Sequence, residues 1–85
     1  MDVRISGIVK RYHNDRGWGL IFTYPTDGSI PIKWFFHFTE ILSGTPQIGC
    51  VATFMPGPPR SAADLPTAKQ VAIGEMTVRY SGVSR

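Results

Sequence analysis

Eighty-five residues leave room for one small domain with a marginal core, so a surface site is expected rather than an enclosed cleft. One cysteine excludes an intrachain disulfide and a cysteine zinc centre, and a net charge of +3 biases the molecule only slightly toward anionic partners. No stretch reads as a leader or as a span of about 20 apolar residues, so a soluble, cytoplasmic protein is expected.

Seven prolines and nine glycines cut the chain into short pieces rich in Val, Ile, Phe, Tyr and Trp. Helical apolar spacing never persists, so the pattern is all-β. A first strand is predicted over 3–12, with Val3, Ile5 and Val9 inward and Gly7 allowing a bend. Asn14-Asp15-Arg16-Gly17 is the turn. A second strand follows over 18–24, then a loop from Pro25 to Ser29. The third strand covers 30–38, and Thr39-Glu40-Ile41-Leu42 reads as one helical turn. The fourth strand covers 50–55 and begins with Cys50, expected to be a small core residue. Pro56-Gly57-Pro58-Pro59 should end it, because proline cannot donate to a ladder. After a long loop to Pro66, the fifth strand covers 68–75.

Five short strands suit a small closed antiparallel barrel, which removes exposed edges. Residues 1–75 are assigned to it. Residues 76–85 form a C-terminal extension that can lengthen the fifth strand, pair with another chain or stay flexible.

Strand alternation sorts the aromatics. Trp18, Leu20 and Phe22 share one face of the second strand, opposite Gly19 and Ile21. In the third strand Trp34 and Phe36 are needed inside so small a barrel, which turns Lys33, Phe35 and His37 outward. If the two strands pair, Trp18 and Leu20 lie beside Phe35 and His37. Arg4, Lys10, Arg11 and Arg16 add cations within the first sixteen residues. An outward aromatic patch beside cations marks a binding surface, since bases stack on rings and phosphates meet cations. The bland readings are a solvated basic edge and a Trp18 or Phe35 covered by the tail or the long loops. His37 is read as stacking on, or hydrogen bonding to, a base. His13, at the turn, is read as solvated.

The segment from Lys10 to Ile21, KRYHNDRGWGLI, resembles the first ribonucleoprotein motif of cold-shock domains, K-W-F-N-x-x-K-G-[FY]-G-F-I. Trp34 to Ile41, WFFHFTEI, resembles the second, V-F-V-H-x-S-x-I. Gly49 with its following apolar run, and Ala68-Lys69-Gln70-Val71, resemble the family's fourth and fifth strands. The likeness spans roughly 5–75 in the family's order. It implies a five-stranded barrel of the oligonucleotide-binding (OB) class that binds single-stranded RNA or DNA without catalysis, as an RNA chaperone or a regulator of gene expression. Carried over by position, Trp18, Phe35, His37 and Phe38 would stack bases, flanked by Lys10, Tyr12 and Arg16. Two positions depart from the pattern: the family's tryptophan is Arg11 here, and its second aromatic is Leu20. Losing two platforms at about 1–3 kcal/mol each weakens stacking. Arg11 can still lie on a base or pair with phosphate, and Phe22 can supply replacement area. The loops at 25–31 and 56–66 are longer than the family's and can carry specificity or a protein contact.

Two rival classes remain. An enzyme has nothing to stand on: no nucleophile paired with a base, no paired carboxylates, no cofactor fingerprint in Gly17-Trp18-Gly19, and no metal set around the two histidines. No cofactor or metal is expected. A protein-interaction or dimerisation module on the same barrel is the serious alternative, because a fold hosts unrelated functions. A monomer is expected, with a dimer through strand exchange or the tail as the other state. Solvent access to Trp18, Phe35 and His37 beside Lys10 and Arg16 discriminates between the readings.

Overall fold

The computed structural model describes residues 4–59 and 64–76. Expectations for Val3, for the loop at 60–63 and for residues 77–85 of the extension lie outside them.

Strand β1 (Ile5–His13) turns back into β2 (Trp18–Thr23). The amide of Gly17 donates to the carbonyl of His13 at 2.7 Å. Gly17 has a φ of +75°, a left-handed value that glycine adopts without a side-chain penalty, so the turn falls where Asn14 to Gly17 predicted it. β3 (Ile32–His37) pairs antiparallel with β2, β5 (Cys50–Gly57) pairs with β1, and β6 (Thr67–Met76) pairs with β5. A parallel contact between Phe35 and Thr67 joins β3 to β6 and closes the ring. The protein is thus an all-β, closed five-stranded barrel of the OB type.

Three elements differ from expectation. The helical turn comes one residue early, as a 3₁₀ turn over Phe38–Glu40, and gives way to an extra short strand, β4 (Ile41–Ser43), beside β6. The third strand begins at Ile32, because Pro31 precedes it and Ile30 is 85% exposed. The fourth strand does not stop at Pro56: it runs to Gly57, with Pro56 opposite Ala68 and Gly57 opposite Thr67. Among the described residues, the pairing of β1 with β5 stops at Ile5 opposite Phe54, and β6 alone is seen to pair with Pro56 and Gly57.

The core is as the alternation predicts. Ile21, Phe36, Val9, Phe54, Ala52 and Val71 are fully buried, and Cys50 is buried with them. Trp34 is 9% exposed; its ring lies 5.1 Å from that of Phe54, and its indole N–H donates to Thr23 Oγ1 at 3.0 Å. The polar tip is satisfied while the ring fills the core. Gly7 provides close approach, since a Cβ there would lie 2.7 Å from Ile21 Cγ2 and from the Phe22 carbonyl oxygen. Arg4 is drawn off into structure: its guanidinium donates to the carbonyls of Thr53 at 2.8 Å and Gln70 at 2.5 Å, tying β5 to β6.

Gly19 sets the geometry beneath the outer face. It stands between Tyr12 and Phe36 in one cross-strand row, and those two rings stack over it at 5.9 Å. A Cβ at Gly19 would lie 2.4 Å from the Arg11 carbonyl oxygen and 2.8 Å from the Phe36 ring. Backbone cannot yield as a flexible side chain does. Gly19→Ala is expected to cost about 1–3 kcal/mol of stability, as overpacking does. A thermal melt unchanged from wild type would show that the row is looser than described.

Candidate functional site

The outer face of β1, β2 and β3 is a lattice of cross-strand rows fixed by register. His13, Trp18 and His37 form one row, Arg11, Leu20 and Phe35 the next, and Ile8, Phe22 and Lys33 the third. The Trp18 and Phe35 rings lie 5.6 Å apart at 24°, forming a continuous flat platform. Trp18 and Phe35 are half-buried, and His37 is exposed.

Membership of this face depends on one irregularity. The β1–β2 register shifts between Val9, opposite Ile21, and Arg11, opposite Leu20. Lys10 is the extra residue. Plain alternation from Val9 would bury Arg11 and His13 and expose Tyr12. The bulge reverses this, as bulges do when they re-aim side chains. Tyr12 therefore turns inward onto Phe36 and does not join the Trp18–Phe35 platform. Part of its surface lines a shallow groove with Asn14, Asp15, Arg16, Gly17 and Phe38. His13 is not a solvated turn residue: it closes β1 half-buried, with its ring 4.4 Å from that of Trp18.

Cations lie along the same outer face. Lys10 lies 5.9 Å from the Tyr24 ring, and Lys33 lies 5.8 Å from the Phe22 ring. Both separations suit a cation over a π-face. Arg11 and Arg16 are exposed, Arg11 beside Leu20 and Arg16 in the turn below Trp18. Phe38 is 53% exposed and donates its amide to the Gly17 carbonyl at 2.8 Å, so the turn of one hairpin holds the end of the other. His37 caps the 3₁₀ turn, its Nδ1 accepting the Thr39 amide at 3.4 Å and lying 2.9 Å from the Thr39 hydroxyl. With Nδ1 accepting, the neutral ring carries its proton on Nε2 and keeps one donor for a ligand.

The remaining wall comes from the long loop. Its last residue, Pro66, accepts the Phe35 amide at 2.9 Å. Just before it, Asp64 and Leu65 join Trp18, Leu20 and Phe35 around an open groove of about 300 Å³. A second groove, of about 310 Å³, continues past Phe35 and His37 to Thr39, Glu40 and Lys69. Glu40 and Lys69 pair at 3.6 Å. Asp64 and Leu65 were missed at the sequence level, because a loop has no periodicity from which to read a direction. Among the described residues, no three His, Cys, Asp or Glu side chains stand together to hold a metal.

No family profile matches the chain, and no curated protein matches it. The likeness to cold-shock motifs therefore rests on the quoted segments, and function has to be read from the face itself.

Proposed function

We propose that the β1–β2–β3 face binds single-stranded nucleic acid, RNA or DNA, by stacking bases on Trp18, Phe35 and His37 and holding the backbone with Lys10, Arg11, Arg16 and Lys33. The carrying observation is the Trp18–Phe35 platform, open to solvent along a groove, with the exposed Arg11 in the row of Phe35. Leu20, Phe22 and Phe38 widen the apolar area beside it. Stacking accepts any base through its π-face, so sequence preference from the platform itself is small. Bases held on the platform cannot pair, so bound RNA is kept from folding on itself. The resemblance to cold-shock motifs points the same way, to an RNA chaperone or a regulator of gene expression.

Titration with a short oligothymidine should quench Trp18 fluorescence saturably, while Trp34, in the core, supplies a constant background. Affinity should fall with salt at a log–log slope of about 0.7 per phosphate neutralised, and Lys33→Ala should lower that slope by about 0.7. No quenching at high micromolar strand would sink this reading. The protein-interaction reading would then lead, favoured by the exposed Tyr24, Ile30 and Ile32 at the far end of the β2–β3 hairpin.

A further inference from the structure

Among the described residues, Trp18, Leu20, Phe35 and Leu65 line the groove against the platform, and Asp64 is the one charged residue beside them. None of the hydrogen bonds or ion pairs among the described residues occupies that carboxylate. A carboxylate beside the platform repels phosphate, so the strand's backbone is not what it suits. Its chemistry suits a base edge. A carboxylate only accepts hydrogen bonds, so whatever edge meets it has to present N–H donors. An apolar slot with one convergent polar group fixes orientation as well as affinity, and apolar surroundings strengthen the bond while making an unmatched partner costly.

The four bases differ sharply at this point. The pairing edge of guanine carries adjacent N1–H and N2–H₂ donors, which match both carboxylate oxygens at once. Adenine and cytosine offer one amino group. Uracil and thymine offer one N–H flanked by two carbonyl oxygens, which face the carboxylate unfavourably. We propose that Asp64 makes this groove a guanine-selective subsite: the base stacks on Trp18 and Phe35 and donates N1–H and N2–H₂ to the carboxylate. The inference rests on the nucleic-acid reading of the face and adds a base preference to it.

The test compares three short strands on the full chain by Trp18 fluorescence: oligothymidine, the same strand with one central guanine, and the same with hypoxanthine in place of that guanine. Wild type should bind the guanine strand about tenfold more tightly than oligothymidine, within the range of a good bidentate base contact. Hypoxanthine lacks the N2 amino group and should fall between them. In Asp64→Ala the guanine-to-thymine ratio should drop to near one. Asp64 is exposed, so equal thermal midpoints should confirm that the variant folds. Saturable quenching with a ratio near one in wild type, or a ratio that survives Asp64→Ala, overturns the role of Asp64 and leaves the binding face standing. Absence of binding to all three strands overturns both.

Discussion

Phe36→Ala is expected to lower stability by about 3–5 kcal/mol, the usual cost of emptying a buried phenylalanine site. Phe36 is fully buried and stacks on Tyr12 across Gly19, so the cavity has few groups free to collapse into it. The net stability of a small domain is only about 5–15 kcal/mol, so the loss takes a large share of it. At about 4–8 °C per kcal/mol for a chain of this size, the melting midpoint should fall by tens of degrees. Phe35→Ala, one position away, should behave in the opposite way. Its side chain faces the outer lattice and is half-buried, so stability should drop by about 1 kcal/mol while strand binding weakens markedly. Circular-dichroism melts of both variants decide this. Equal destabilisation would mean that Phe35 is a core residue and that the outer face is not a free surface.

Trp18→Ala carries the largest expected effect on binding. Trp18 sits at the centre of its row, between His13 and His37, and against Phe35. Its removal should abolish strand-induced quenching and weaken affinity by about 1–3 kcal/mol, or about fivefold to a hundredfold in Kd. Since Trp18 emission is lost in the variant, affinity has to be read from a dye-labelled strand. Trp18→Phe should recover part of the loss, because a smaller ring still stacks. Leu20→Phe, beside Phe35 in the next row, should tighten binding by adding a platform. Unchanged affinity in Trp18→Ala would remove stacking from the mechanism and leave only charge, which would show as a strong salt dependence without preference for single strands.

Much of this protein is legible in its sequence, for a physical reason that can be stated residue by residue. Gly and Pro mark the breaks, and period-two alternation assigns faces wherever strands are regular. Ile21, Trp34 and Phe36 are therefore placed inside, and Trp18, Leu20, Phe22, Lys33, Phe35 and His37 outside, with no knowledge of the pairing. The Trp18–Phe35 platform follows once β2 and β3 pair, because few registers bury one face of both strands and expose the other. Cys50 as a core residue follows from its apolar neighbours.

Three features were decided by tertiary structure alone. The bulge at Lys10 reversed the faces of Arg11, Tyr12 and His13, since a bulge is a property of two paired strands and not of either sequence. The continuation of β5 through Pro56 depended on its pairing with β6, where Pro56 lies opposite Ala68 and Gly57 opposite Thr67. The placing of Asp64 and Leu65 against the platform depended on barrel closure, where Phe35 meets Thr67 and Pro66 accepts the Phe35 amide. Alternation is a local rule that each strand carries in its own residues. Bulges, edges and loop walls arise from contacts between residues far apart in the chain, and only the folded barrel brings those together.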